Sequence, residues 1–191
     1  MTRCFGDGDP LYEAYHDEEW GFPVTDERGL FERLCLEGFQ SGLAWITILR
    51  KREAFRAAFA GFEPDAVARF GAADVERLLG DAGIVRNRAK IEATIANARA
   101  TIDVRDAGTP LPELIWAHRP EPGPAPASLA DLPAQLPEAV ALAKALKKAG
   151  FRFVGPTTVY AAMQACGLVN DHIASCPARP RADAAQMRLS R

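Results

Sequence analysis

The sequence predicts an all-α protein, and three observations carry that prediction. Apolar residues recur at helical spacing in segment after segment, and glycine or proline punctuates the ends of those segments. No stretch alternates apolar and polar residues with the β-branched enrichment of a half-buried strand.

Asp9-Pro10 supplies an N-cap and a proline at the first helical position, opening a helix through about Trp20 that Gly21 and Pro23 end. Thr25 or Asp26 can cap a second helix, in which Leu30, Phe31, Leu34 and Cys35 fall at helical spacing. The stretch from Gly38 to Gly42 reads as an interruption, after which a third helix carries Trp45, Ile46, Ile48 and Leu49. Pro64 starts a short helix that Gly71 closes. "AADVERLLGDAG" is amphipathic and glycine-terminated, and "NRAKIEATIANARATIDVRDAG" is the longest helical segment.

Across residues 119–137 the composition turns proline-rich ("RPEPGPAPAS"), the mark of a surface linker rather than a packed element. Helical signal resumes at "PEAVALAKALKKAG", with Gly150 a natural residue just past the end, and two short helices are expected to bracket Gly167. The tail after Pro177 carries Arg179, Arg181, Arg188 and Arg191 with little apolar content and is expected to be disordered. The expected organisation is therefore one helical domain over 1–176 and a loose tail over 177–191.

At 191 residues, 48% apolar and 25% charged, the chain is long enough for a proper core and ordinary for a water-soluble domain. No apolar run approaches the length of a membrane helix, and "MTRCFGDGDP" lacks the apolar stretch of a signal peptide, so a cytoplasmic protein is expected. The net charge of −2 makes no general case for a nucleic-acid partner; any basic surface must be local.

Three groups of residues carry chemistry. Cys4 and His16 near one end, with His172 and Cys176 near the other, would make a tetrahedral Cys₂His₂ site joining the termini. His172 and Cys176 are four apart, a spacing that faces one way on a helix. The spacing of Cys4 and His16 is not that of a zinc finger, which leaves open a chance surface thiol and a polar helix residue. Cys35 and Cys166 lie in apolar runs and read as core, and His118, beside the linker, reads as exposed.

The second group centres on Glu37 in "LCLEGFQ", flanked by Leu34, Cys35, Leu36 and Phe39, where a carboxylate is poorly placed for water and needs a partner. Tyr12, Tyr15 and Trp20 on the first helix and Trp45 on the third are nearby in sequence. Singly such aromatics read as core. Together, around a carboxylate, they suit a flat cationic ligand. The third group is "KALKKAGFRFVGPTTVYAAM", which reads as a helix-hairpin-helix over about 138–166. Gly150 and Gly155 let backbone approach a phosphate, the following helix offers free N–H groups around Thr157, and Lys147, Lys148 and Arg152 add local positive charge.

The combination resembles the 3-methyladenine DNA glycosylase I family, through "DPLYEAYHDEEWG", "LCLEGFQSGLAWITILRKRE", "DAGIVRNRAKIEATIANARA", "KKAGFRFVG" and "MQACGLVNDHIASC". The resemblance runs from Cys4 to Cys176. It implies a helix-hairpin-helix glycosylase fold, with two helical lobes and a base-binding cleft between them. It implies one structural zinc ion on Cys4, His16, His172 and Cys176, and a pocket built from Glu37, Tyr15 and Trp45, with Tyr12 and Trp20 close by. Glu37 is the residue it marks as catalytic.

The implied activity is hydrolysis of the N-glycosidic bond of 3-methyladenine in alkylated double-stranded DNA, releasing the free base from a monomeric enzyme. Gly42 and Leu43 would approach the DNA at the flipped nucleotide, and Gly150, Arg152, Gly155 and Thr157 would hold its backbone. Many helix-hairpin-helix glycosylases carry an aspartate in a "VDTH"-like segment after the hairpin; here "VNDH" places Asn170 there, with Asp171 beside it as a candidate capping group or support for a metal ligand. A zinc-stabilised DNA-binding module without catalysis is the competing expectation.

Overall fold

The computed structural model describes residues 2–189, and among them it contains ten α-helices and no strand. Helix α1 (Pro10–Glu18) starts where the sequence says: one Asp9 carboxylate oxygen accepts from the Leu11 and Tyr12 N–H groups. Of the two candidate caps of α2 (Glu27–Gln40), Asp26 does the work, accepting from Gly29 N at 2.8 Å. Helix α2 runs straight through Gly38, so the expected interruption shrinks to residues 41–44 before α3 (Trp45–Ala58).

Short helices α4 (Pro64–Val67) and α5 (Ala72–Gly80) lead to the long α6 (Arg88–Asp106), capped by Asn87 on Lys90 N. Then come α7 (Leu111–Trp116), α8 (Pro137–Lys148), α9 (Pro156–Ala165) and α10 (Arg179–Arg188). No helix among the described residues is long and apolar enough to cross a membrane.

Helix α2 is the hub, packing against α3, α6, α7 and α9. Its run from Leu34 to Phe39 is buried throughout, because neighbouring helices surround that part of it. Leu30, Phe31, Leu34, Cys35, Leu36 and Phe39 are all buried in the main core with Phe55, Phe59, Ile91, Leu142 and Val159. Each large side chain buried there stabilises the fold by roughly 1.5–3 kcal/mol before entropy. Cys35 and Cys166 lie in this core, as their apolar settings indicated.

A second, smaller cluster of Tyr15, Trp20 and Leu49 sits between α1 and α3. The end of α9 is pinned beside it: Gly21 N donates to Gln164 O and Val24 N to Cys166 O. Gly167, at φ +70°, makes this closeness possible. A Cβ there would stand 2.4 Å from the Phe22 carbonyl carbon.

Three expectations are corrected. The tail is not disordered through its described length: α10 buries Ala182 and Gln186, and Gln186 Nε2 donates to Gly21 O at 2.9 Å. Its hold is polar more than apolar, with Asn170 Nδ2 donating to Arg179 O and to Asp183 Oδ1, which hydropathy does not register. Arg191 lies outside the described residues.

The segment after Gly167 is an irregular loop rather than a second short helix, so His172 and Cys176 converge through a turn in which Cys176 N donates to Ile173 O. The proline-rich stretch is irregular as expected, yet not merely a surface connection. Its one 3₁₀ turn, Leu129–Asp131, is capped by Ser128 and Asp131, and Ala174 N donates to Pro126 O.

Candidate functional site

A cavity of about 260 Å³ opens between α1, the end of α2, the start of α3 and α9. Its walls include Tyr12, Tyr15, Trp20, Glu37 and Trp45, the five residues expected to form the pocket. Phe5, Gln40, Leu129, Leu132, Ala161 and Gln164 complete the lining. The Tyr15 and Trp45 rings lie 5.3 Å apart, tilted by 44°, and Phe5 packs edge-on to Trp20 at 5.0 Å.

Glu37 is 5% exposed and makes no hydrogen bond among the described residues. Burial pushes its carboxyl up to about 8, opposed only by the positive charge of Arg33. That cation is already engaged: Arg33 donates to Glu19 at 3.0 Å, and Arg52 grips the same carboxylate at 2.6 and 2.9 Å. Tyr15 and Tyr12 are both held above the ordinary phenol range, by burial first and by the proximity of Glu37 second. The Trp45 indole N–H is also buried and without a partner among the described residues. The pocket thus offers one unpartnered carboxylate and one unpartnered donor, set among aromatic rings.

Cys4, His16, His172 and Cys176 come together with their ligand atoms all within 4.8 Å of one another, a cluster that could hold a metal ion. Cys176 Sγ is 3.5 Å from His16 Nε2 and 3.4 Å from His172 Nδ1, and Cys4 Sγ is 3.6 Å from the latter. The outward ring nitrogens are fixed: His16 Nδ1 meets Asp17 Oδ1 at 2.7 Å, and His172 Nε2 meets Trp20 O at 2.8 Å. Each histidine therefore turns a defined nitrogen toward the cluster, His172 its Nδ1 and His16 its Nε2, which also accepts from Cys4 N at 3.2 Å. Burial holds the His172 imidazole down to about 4 and pushes the Cys4 thiol up to about 12.

Helices α8 and α9 are joined by a short non-helical connection over residues 149–155. Gly150 adopts φ +95°. The turn is fastened to α6 by Asn97, whose amide donates to Arg152 O at 3.1 Å and accepts from Arg152 N at 2.7 Å. Lys144, Lys147, Lys148 and Arg152 are exposed and form no ion pair among the described residues, so positive charge is concentrated here despite the negative total. Gly42, at φ +84°, and Leu43 are exposed on the loop after α2.

Asn170 does not line the pocket; its side chain joins the His172 N–H, Arg179 O and Asp183. Asp171 supports no metal ligand. It accepts from Tyr160 Oη at 2.5 Å and Gln164 Nε2 at 2.8 Å, anchoring a residue of the pocket wall. His118 is half-buried, with Nδ1 donating to Leu114 O.

Sequence reasoning missed Phe5, the two leucines of the proline-rich stretch, Asn97, and the buried Lys90. Lys90 donates to Phe39 O at 2.8 Å and Ser41 O at 2.7 Å. A lysine and an asparagine on a long helix read as solvated, and only the backbone carbonyls they meet reveal otherwise.

A family model described as methyladenine glycosylase matches residues 5–179. DNA-3-methyladenine glycosylase 1 of Escherichia coli (strain K12) is 51% identical over 184 residues, which cover 94% of this chain and 98% of that protein. A crystal structure of 3-methyladenine DNA glycosylase I superposes with a TM-score of 0.89 at 52% identity, covering 92% of this chain and 98% of the other. A tyrosine-to-phenylalanine variant of 3-methyladenine DNA glycosylase I, solved in complex with 3-methyladenine, superposes equally well at 0.89, with 37% identity over 94% of this chain and 98% of its own. With a family model spanning most of its length and half its residues shared with such a relative, the chain belongs to the methyladenine glycosylase family.

Proposed function

We propose that this protein excises 3-methyladenine from alkylated double-stranded DNA by hydrolysing the N-glycosidic bond, and that one zinc ion ties its ends together. The observation that carries the reading is Glu37, a buried carboxylate with no hydrogen bond at an aromatic pocket. Such a group is costly unless a ligand offsets it, and the offset is largest for a cation with N–H donors.

A nucleotide methylated at N3 of adenine supplies both features. Its base carries positive charge and an exocyclic amine that can donate to Glu37. Its ring nitrogens can accept from the Trp45 N–H. The rings of Tyr15 and Trp45 present negative faces to the same charge, with Tyr12 and Trp20 bounding the site. To reach the pocket the base must leave the helical stack, at a cost of a few kcal/mol that is least for damaged bases.

The chemistry then needs little help. As the bond from the sugar C1′ to N9 breaks, its electron pair neutralises the cationic base, which leaves as a stable molecule. Water adds to C1′ and gives its proton to solvent, leaving an abasic site. A positioned aspartate is dispensable for so activated a leaving group, consistent with Asn170 lying outside the pocket. Adenine without the methyl group gains less from Glu37 and keeps a poor leaving group, so charge drives both binding and reaction.

The metal cluster fits zinc. Tetrahedral zinc, with sulfur at about 2.3 Å and nitrogen at about 2.0–2.1 Å, requires sulfur–nitrogen separations of about 3.5–3.6 Å. The three closest such pairs span 3.4–3.6 Å. Four protein ligands leave no position for a reacting water, so the ion's contribution is structural. It would join the loop of His172 and Cys176 to α1, which carries Tyr12 and Tyr15.

The duplex would lie across the α8–α9 turn, with phosphates at the first free N–H groups of α9 near Gly155 and Thr157 and beside Arg152, and with Gly42 and Leu43 at the flipped nucleotide. The test is chromatographic. DNA treated with a methylating agent is incubated with the purified protein, and free 3-methyladenine is measured. Release of the base, with an alkali-labile site left in the strand, is expected. Tight DNA binding without release would mark a non-catalytic module instead.

A further inference from the structure

Phe153 is a bulky residue in a backbone conformation that bulky residues avoid. Its φ is +55°, in the left-handed region where glycine is the usual occupant. Its side chain is nevertheless 40% exposed, so the strain is not the cost of burying an aromatic ring. Two fixed contacts hold the conformation. Asn97 brackets the preceding residue, Arg152, through both its N–H and its C=O. On the other side the backbone lies against α2 so closely that a Cβ at Gly38 would stand 3.4 Å from Phe153 Cβ. Gly38 directly follows Glu37.

We propose that Phe153 is a DNA-contacting residue, an aromatic side chain held outward from the α8–α9 turn to stack against an apolar nucleoside face beside the extruded base. This rests on the glycosylase reading above. Three observations select DNA as the occupant. The turn that presents Phe153 carries the exposed, unpaired cations Lys147, Lys148 and Arg152, the charge complement of phosphates. Phe153 abuts the helix turn that supplies Glu37 to the pocket.

The loop after that helix exposes Leu43 to the same degree, 40%, and Lys90 pins it through the Ser41 carbonyl. Lys90 and Asn97 are seven residues apart, two turns along one face of α6, so one rigid helix sets the separation of both exposed apolar side chains. Stacking on an aromatic side chain is sequence-tolerant, since every base has a π-face, and so it suits an enzyme that must meet its lesion in any context. Strained backbone persists where surrounding contacts over-determine it, and here those contacts aim a side chain at solvent.

The substitution Phe153→Gly separates this role from a structural one, because glycine is the residue the backbone conformation favours. Four quantities are measured on wild type, F153G and F153W. These are melting temperature, affinity for free 3-methyladenine, affinity for a duplex bearing a tetrahydrofuran abasic-site analogue, and excision from methylated DNA. For F153G we expect a melting temperature within about 4 °C of wild type, unchanged affinity for the free base, and affinity for the duplex weakened about tenfold, with excision falling in parallel. F153W should retain wild-type duplex affinity. Duplex affinity unchanged in F153G overturns the proposal, as does a large drop in melting temperature accompanied by loss of free-base binding, which would make Phe153 a packing residue. Failure of the glycosylase reading itself would show separately, as a wild-type protein that releases no base.

Discussion

Replacing Glu37 with glutamine is expected to make the protein more stable and less active, and both effects can be sized. Glutamine keeps the volume and one acceptor oxygen but cannot carry charge. In the binding direction it removes a charge-assisted hydrogen bond to the base in a desolvated pocket, worth roughly 1.5–3 kcal/mol, or about ten- to a hundredfold in affinity for the lesion.

In the folding direction the sign reverses. Burial raises the Glu37 carboxyl from 4.5 to about 8. Between those values the folded protein holds a proton that the unfolded chain has released, so stability falls as pH rises across that window. Above about pH 8 the loss is complete, and it amounts to no more than roughly 5 kcal/mol. Glu37→Gln should therefore melt several degrees above wild type at pH 9 and close to it at pH 4.5, as followed by calorimetry.

Activity carries the same signature. Because the free enzyme's carboxylate forms only as pH approaches about 8, wild-type kcat/KM on methylated DNA should climb over that range and then level, while the variant's profile is flat and low. A variant that excises at the wild-type rate, or that melts below wild type at pH 9, refutes the argument.

Three further outcomes are expected. Cys176→Ala should abolish stoichiometric zinc by elemental analysis and lower the melting temperature, while excision measured well below that temperature survives in part; full metal content in the variant would exclude these ligands. Gly155→Val places its side chain where nothing lies within 4 Å, so the fold should be untouched while binding to damaged and undamaged duplexes weakens alike, and binding of the wild type should fall steeply with added salt. Gly167→Ala combines a left-handed backbone with a Cβ 2.4 Å from the Phe22 carbonyl carbon. It should cost roughly 2–4 kcal/mol in urea unfolding, and a neutral result would mean that the α9 end is not fixed against the segment after α1.

The helices were legible because their signals are local. Asp9, Asp26 and Pro64 act within one turn of themselves, and the apolar face of α2 is written in its own spacing. The aromatic pocket was legible for a related reason, since Tyr12, Tyr15 and Trp20 sit on or just past one helix and Trp45 opens another. What stayed hidden depends on distant backbone. His16 and Cys176 are 160 residues apart, so their approach could be inferred only through a family resemblance. His172 and Cys176 sit on a loop because turn geometry can converge two side chains that spacing alone would place on a helix. Helix α10 escaped for want of apolar residues, although Gln186 and Asn170 tie it down through hydrogen bonds. Leu129 and Leu132 were lost in a proline-rich context that says surface, yet they line the pocket.

The distribution of unsatisfied groups bears on function more directly than any single motif. The described residues bury eight polar or charged side chains, namely His16, Glu37, Lys90, Thr94, Asn97, Thr101, His172 and Gln186. Seven of them have hydrogen-bond partners, often backbone groups that an empty pocket could not supply: Lys90 on two carbonyls, Asn97 on both sides of Arg152, Thr94 and Thr101 on the preceding turn of α6. His16, His172 and Gln186 are partnered likewise. Glu37 is the exception. The Trp45 N–H, a side-chain donor shut off from solvent and without a partner among the described residues, lines the same cavity. A fold that satisfies its interior elsewhere and leaves an acceptor and a donor unmet in one aromatic pocket is organised around a ligand that brings the missing donor and acceptor with it. That complementarity is why the pocket is a better guide to substrate than the net charge of the chain.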